Sequence, residues 1–116
     1  MSVERMQSGP RMSGIVIHGD TVYLAGAVGA DEGASMADQT QSCLDQIDER
    51  LSLAGTSKSN VLACTIWITD MAEFEAMNAV WDAWIDPANP PARACVQTTA
   101  LARPGFKVEI MATAAR

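Results

Sequence analysis

The chain has 116 residues, of which 48% are hydrophobic, and its formal net charge is −6, from 8 Lys and Arg against 14 Asp and Glu. This length accommodates one domain with a modest core, and the hydrophobic content is higher than disordered chains carry. The acidic balance argues against a nucleic-acid-binding protein, because such proteins present basic patches to phosphates. We therefore expect a single globular domain over residues 1–116.

Segments that would direct the chain to a membrane are missing from the sequence. No apolar run approaches the roughly 18 residues of a membrane span, and residues 1–10 lack the apolar segment of a signal peptide. The three cysteines, Cys43, Cys64 and Cys95, are odd in number and widely spaced, which is typical of reduced thiols. These features predict a cytoplasmic protein.

The first predicted element is a hairpin. Two β-rich runs, residues 14–18 and 21–25, flank a Gly19-Asp20 turn. The Gly-rich, acidic residues 26–33 lack the Lys and Ser/Thr of a phosphate-binding loop. We expect them to form a connection that lines a pocket.

A helix is predicted from Ser35, where the hydrophobic period changes. Ser35 is a suitable N-cap, and Gly55 is a suitable C-terminal stop. The stripe at helical spacing consists of Met36, Thr40, Cys43, Leu44, Ile47 and Leu51.

A strand and a second helix follow. Residues 60–69 are rich in β-branched and aromatic side chains, which favours a central strand. Alternation places Leu62, Cys64, Ile66 and Ile68 on one face and Val61, Thr65 and Trp67 on the other. Asp70 and Glu73 resemble a capping box, and prolines after residue 86 end the helix. Its apolar stripe is Phe74, Met77, Trp81 and Trp84.

Two further runs of β character, residues 92–98 and 106–113, flank a Pro104-Gly105 turn signal and predict a pair of strands. Alternation places Arg93, Cys95 and Gln97 on one face of the first run, and Glu109 alternates with Val108 and Ile110 in the second. An arginine and a glutamate in apolar strands are informative, because buried charges are paired or bind something.

The predicted order is β-β-α-β-α-β-β, an α+β fold with two helices packed on one face of a mixed sheet. Two helices cannot cover both faces of such a sheet. Trp67, on the far side of its strand, is then exposed unless subunits pack there. We expect an oligomer.

Three residues of the last strands are candidates for chemistry. The planar guanidinium of Arg93 fits a small carboxylate, or it forms a structural salt bridge with Glu109 or another acid across the sheet. Glu109 is a candidate general base toward water, or an ion-pair partner. Cys95 lacks an activating histidine, so we expect it to pack, with its backbone facing a ligand.

Metal and triad chemistry are poorly supported. His18 is the only histidine, and the His-x-Glu and Pro-Cys-x-x-Cys signature of zinc deaminases is missing. No Gly-x-Ser-x-Gly elbow accompanies His18. We expect no metal site and interpret His18 as a strand residue beside a turn.

The last strands resemble the C-terminal motif of the RidA/YjgF superfamily of reactive intermediate (enamine/imine) deaminases. The motif reads Pro-Ala-Arg-Ala-Cys-Val at 91–96 and Val-Glu-Ile at 108–110. The likeness extends over almost the whole chain, through Gly9-Pro10, Val-Tyr-Leu-Ala-Gly at 22–26, Thr-Ile-Trp-Ile-Thr-Asp at 65–70 and Phe-Glu-Ala-Met-Asn at 74–78.

The resemblance implies a chorismate-mutase-like fold, a homotrimer with clefts between subunits, and hydrolysis of 2-imino acids to 2-keto acids and ammonia without a cofactor. In that family the residues matching Arg93, Cys95 and Glu109 line the cleft, together with an asparagine that matches Asn78. Arg93 would bind the substrate carboxylate, and Glu109 would act as the acid–base group.

The chain departs from the family pattern near the cleft. Arg11 follows Gly9-Pro10 where many members have tyrosine, and it is a candidate second anion contact. Ala25 and Ala27 flank Gly26 where members have a hydroxyl and an amide, and Thr99 stands where a small or basic residue is usual. These changes affect substrate choice. An alternative to the enzyme is a non-catalytic binding protein for small carboxylic or keto acids.

Overall fold

The computed structural model describes all 116 residues, which form seven strands and two α-helices. The strands are β1 Val3–Ser8, β2 Ser13–His18, β3 Thr21–Leu24, β4 Ala27–Val28, β5 Val61–Ile68, β6 Ala92–Gln97 and β7 Val108–Ala115. The helices are α1 Met36–Leu53 and α2 Phe74–Trp84, and single 3-10 turns precede β5 and α2.

The strands form one mixed sheet in the order β1-β2-β3-β7-β5-β6, with the short β4 also paired to β7. Only β5 and β6 run parallel, because α2 connects them as a crossover. Every other pair is antiparallel. The predicted α+β fold with two helices on one face is confirmed.

The two C-terminal strands are both present but are not neighbours, since β5 lies between β6 and β7. The Pro104-Gly105 region is therefore not a hairpin turn. It belongs to the long connection that carries the chain past the end of β5. The proline and glycine correctly indicate a change of chain direction. The neighbour of β6 in the sheet, however, is determined by the α2 crossover, which places β6 parallel beside β5.

Strand β1 was not expected from the sequence. Its residues, Val-Glu-Arg-Met-Gln-Ser, are almost all exposed, so they carry no apolar alternation. Backbone pairing with β2 makes it an edge strand. The structure also contains β4 inside the predicted loop 26–33.

The ends of α1 follow the predicted signals. The Ser35 hydroxyl accepts a hydrogen bond from the backbone N–H of Asp38 at 3.1 Å. Gly55 has a φ of 80°, a conformation that other residues rarely adopt. The predicted stripe of α1 is buried in full, and that of α2 is buried at Met77, Trp81 and Trp84.

The hydrophobic core lies between the helices and one face of the sheet, which we call the covered face. It consists of 22 buried residues, including Ile15 and Ile17 of β2, Ile66 and Ile68 of β5, and Ile110 of β7. Fully burying a side chain of this size contributes about 1.5–3 kcal/mol. The core therefore holds the helices against the strands that carry the candidate site.

The predicted alternation of β5 is wrong at its start. A bulge between Val61 and Ala63 inserts Leu62 as an extra residue. Val61 is consequently 5% exposed and Leu62 is 51% exposed, the reverse of the expected orientation. From Cys64 onward the predicted faces are confirmed.

The other side of the sheet, the open face, is covered by no helix. Alternation and register place Tyr23, Val96 and Met111 on it, and they are 46%, 44% and 41% exposed. Trp67 lies among them and is half-buried. Neither helix combines the length and apolarity that crossing a bilayer requires.

Candidate functional site

The first candidate group is a guanidinium on the covered face. Arg93 pairs in register with the buried Cys64, so its side chain points toward α2. Its Nη1 donates a hydrogen bond to Asn78 Oδ1 at 2.8 Å, and its Cζ lies 5.2 Å from the centre of the Trp81 ring. We call Arg93, Asn78 and Trp81 the arginine cluster.

The arginine cluster is held by α2. Asn78 and Trp81 are three residues apart and lie on one side of the helix. Trp81 is 5% exposed and belongs to the core, so its ring is a fixed platform for the cation. Trp81 was predicted only as a core residue. The signal that could have found it is its spacing of one helical turn from Asn78.

Arg93 has no acidic partner. The three ion pairs of the chain join other residues. Asn78 occupies one of the five N–H donors of the guanidinium, and the residue is exposed at an edge strand. The charge is therefore oriented but not neutralised, and the remaining donors face solvent.

Cys95 lies two residues further along β6, on the same face, and is half-buried against the core. Burial raises the pKa of its thiol, and the Arg93 charge opposes part of that rise. The thiol therefore stays protonated near neutral pH and is a poor nucleophile. Because β6 is an edge strand, half of its backbone N–H and C=O groups point outward and are free to meet a ligand.

The second candidate group is a carboxylate on the open face. Glu109 pairs in register with Trp67 on one side and Val28 on the other. It is half-buried between these apolar neighbours. It makes no ion pair and no side-chain hydrogen bond within the chain. The half-buried Glu109 carboxylate is thus free to accept a hydrogen bond or a proton from a molecule bound on this face.

Gly26 makes room for that carboxylate. A Cβ atom on Gly26 would overlap the Glu109 side chain, so any larger residue would displace the carboxylate. The carbonyl of the preceding Ala25 accepts a hydrogen bond from Arg50 Nη1 of α1 at 3.2 Å. Glu109 and Gly26 are called the glutamate cluster below.

Arg11 lies apart from both clusters. It occupies the turn between β1 and β2, is exposed and has no ion-pair partner in the chain. Since β1 and β6 are opposite edges of the sheet, Arg11 and Arg93 are separated by its full width.

The predicted residues therefore form two groups on opposite faces of the sheet. Arg93, Asn78 and Cys95 meet beside α2, and Glu109 and Gly26 meet on the open face. A structural salt bridge between Arg93 and Glu109, which the sequence left open, is excluded within one chain. The separation of Arg93 from Glu109 follows from the pairing register of β5, β6 and β7, which cannot be predicted from a local sequence pattern.

The sequence also missed a hollow beneath residues 98–107. Its volume is about 280 Å³, and its lining includes Thr69, Leu101 and Phe106. The loop composition gave no sign of a cavity. No three His, Cys, Asp or Glu side chains lie close enough together to hold a metal ion.

Comparisons with known proteins place these features in a family context. A family model described as Endoribonuclease L-PSP matches residues 4–116. The chain is 40% identical over 115 residues to the RutC family protein YoaB of Escherichia coli, covering 99% of each chain. It is 39% identical to a RutC family protein of Haemophilus ducreyi, covering 97% of this chain and 96% of that one. A crystal structure of a YjgF family member from Neisseria meningitidis is 40% identical, with a TM-score of 0.96 over 100% of this chain and 96% of that chain.

Proposed function

The chain belongs to the family described as Endoribonuclease L-PSP, which contains the RutC and YjgF proteins, and from this membership we propose that it is an enamine/imine deaminase. Its substrates are small 2-imino acids, which it hydrolyses to 2-keto acids and ammonia. The observation that carries the proposal is the Arg93 guanidinium, oriented by Asn78 and Trp81 and left without an acid.

Arg93 is suited to anchoring the substrate carboxylate. A guanidinium with several free N–H donors binds a carboxylate through two parallel hydrogen bonds, which fixes both position and orientation. The outward-facing backbone of β6 near Cys95 supplies further contacts. A charge-assisted bond of this kind contributes about 1.5–3 kcal/mol to binding.

Glu109 is suited to moving protons, because its carboxylate is free of internal partners and lies among apolar side chains. It removes a proton from water as the water oxygen bonds to the imine carbon and the C=N π bond breaks. The nitrogen receives that proton, which gives a tetrahedral carbinolamine. Glu109 then passes the hydroxyl proton to the amino nitrogen as the C–N bond breaks and the C=O bond forms, and a 2-keto acid and ammonia separate. Orientation and one acid–base group account for this chemistry without a cofactor.

The two clusters lie on opposite faces, so one chain cannot bring both to the same substrate. We infer a homotrimer in which the arginine cluster of one chain meets the glutamate cluster of its neighbour. The exposed apolar side chains of the open face, Tyr23, Val96 and Met111, supply a surface for such packing. Arg11, at the opposite edge from Arg93, is a second anion contact in this arrangement.

Cleavage of RNA, which the family description suggests, is a weaker interpretation for this chain. Its formal net charge is −6 and its only histidine, His18, is an exposed strand end. Both features are unfavourable for binding and cleaving a polyanion. We place the protein in the cytoplasm, where its three free cysteines stay reduced.

The activity is tested by generating 2-imino acids with an amino-acid oxidase and trapping them with semicarbazide. The wild-type protein should divert the imines to keto acid and lower semicarbazone formation. Arg93→Ala should reduce kcat/KM about 10- to 150-fold. Lys58→Ala is the matched control, because Lys58 also lies over a tryptophan of α2, at 5.5 Å from the Trp84 ring, outside both clusters.

Glu109→Gln should lower kcat about 100- to 10,000-fold through the loss of the acid–base group. Arg93→Ala and Glu109→Gln chains refolded together should then recover activity, because about one quarter of all clefts in randomly assembled trimers pair an intact arginine with an intact glutamate. Mixed oligomers that recover nothing would show that the two residues do not act across an interface.

The non-catalytic binding protein remains a distinct outcome of the same assay. Ala25 and Ala27 offer no side-chain hydrogen bonds beside Gly26, which favours a site with reduced catalytic capacity. A wild-type protein that binds 2-keto acids through Arg93 but leaves every imine to the trap is such a binder.

A further inference from the structure

The hollow beneath residues 98–107, which we call the loop hollow, lies next to the glutamate cluster. Pairing continues beyond β5, since the N–H of Thr69 donates to the carbonyl of Lys107 at 3.1 Å. Thr69 directly follows the end of β5 and lies two residues beyond Trp67 along the chain. Trp67 is the register partner of Glu109. The Thr69 wall of the hollow is therefore about 7 Å from the Glu109 row along the strands.

The lining of the loop hollow is mixed but carries no free charge. Leu101, Pro104 and Phe106 supply apolar surface, and Thr69 and Thr99 supply hydroxyls. Its one cation, Arg103, donates from Nε to Glu32 Oε2 at 2.7 Å. Because Glu32 neutralises Arg103, the hollow favours an uncharged occupant.

Hydrogen bonds to the side chains of Gln39 and Glu32 hold the walls of the loop hollow in place. The Gln39 side chain is fully buried and donates to the Gly105 carbonyl at 3.0 Å. Its Oε1 accepts from the Lys107 N–H at 2.9 Å, and the Gly105 N–H donates to Glu32 Oε1 at 3.3 Å. The connection is thus anchored to α1 and to the acidic loop, which makes the hollow a preformed cavity.

We propose that the loop hollow receives the side chain of the substrate and favours 2-imino acids whose side chains are uncharged and long enough to reach it. This inference rests on the proposed deaminase function. The carboxylate is held at the arginine cluster of the adjoining chain, the imine carbon lies at Glu109, and the side chain extends the remaining distance into the hollow. Its volume of about 280 Å³ is at the lower end of ligand cavities and is sufficient for one side chain.

Filling the hollow tests its role in selection. Leu101→Trp should lower kcat/KM for the leucine-derived imine at least about 10-fold relative to the alanine-derived imine. Leu53→Trp is the matched control, since Leu53 is 52% exposed at the end of α1. Circular dichroism and unfolding by urea establish that both variants are folded.

A second variant tests the charge argument by a gain of activity. Glu32→Gln keeps an oxygen for the Gly105 N–H and removes the charge that neutralises Arg103. It should raise kcat/KM for the aspartate-derived imine about 10-fold and leave the alanine-derived imine unchanged.

The outcomes separate this inference from the function on which it rests. A wild type without activity on any imine overturns the proposed function and this inference together. An active wild type in which Leu101→Trp affects both imines equally, or in which Glu32→Gln does not improve the aspartate-derived imine, overturns the inference alone.

Discussion

The covered and open faces of the sheet differ in how completely their apolar side chains are buried and their polar groups are paired within the chain. Above the covered face even the two buried polar residues, Gln39 and Thr40 of α1, have hydrogen-bond partners, and no buried side-chain polar atom lacks one. On the open face Glu109 has no partner and three large apolar side chains are more than two-fifths exposed. The chain thus completes its core alone, whereas its open face keeps an unpaired carboxylate and exposed apolar side chains.

The arginine cluster and the glutamate cluster also differ in how many contacts within the chain hold them in place. The arginine cluster is assembled by contacts within the chain, from the core-anchored Trp81 and the amide of Asn78. The glutamate cluster has only the space that Gly26 leaves. A preformed anchor orients a ligand, whereas a group without partners is available for proton transfer.

The largest expected effect concerns assembly through the open face. Met111→Glu places a charge among apolar side chains that we propose to be buried between subunits, where an unpaired charge costs several kcal/mol. Light scattering should show the mass of one chain, 12.3 kDa, while circular dichroism stays native. Leu53→Glu, a change at an apolar residue with 52% exposure on the helix side, should leave the mass unchanged. A wild type that is already monomeric contradicts the interface.

An intermediate effect is expected in the core, where Ile66 is fully buried on β5. Ile66→Ala leaves a cavity and should reduce the free energy of unfolding by about 2–5 kcal/mol. The adjacent Thr65 points to the open face. Thr65→Ala in a monomeric Met111→Glu background should therefore change the free energy of unfolding by less than about 0.5 kcal/mol. Urea unfolding measures both, and equal losses would mean that the faces do not differ in packing.

The smallest effect concerns the buried thiols at alkaline pH. Burial raises the pKa of Cys43 to about 12 and that of Cys64 to about 11, from an ordinary value of 9.0. Because unfolded thiols ionise first, the stability these groups contribute is present below pH 9.0 and is lost as pH rises toward the folded values.

Urea unfolding at about pH 8 and about pH 10.5 should therefore show a steeper loss for the wild type than for a variant with Cys43→Ala and Cys64→Ala. Cys95→Ala is the control on the less buried thiol. Identical pH slopes in the wild type and the double variant would contradict the burial of these thiols.

Much of the architecture was accessible from the order of residues, because it depends on short-range patterns. Ser35 and Gly55 bound α1 through local hydrogen bonding and backbone conformation. The β-β-α-β-α-β-β succession follows from hydrophobic period. Strand β1 escaped prediction because its exposed side chains carry no such period. Leu62 was misassigned because a bulge depends on the partner strand.

Side-chain chemistry in the sequence identified Arg93, Glu109 and Cys95 as candidates, and the resemblance to the RidA/YjgF superfamily added Asn78, Gly26 and Arg11, since both depend on local motifs. The grouping of these residues in space could not be predicted, because it depends on which strands are neighbours and in which register they pair. One residue of register reverses the face to which a side chain points. Strand pairing therefore separates Arg93 from Glu109. Other contacts between residues distant in sequence form the Arg103–Glu32 ion pair and the loop hollow beside Thr69.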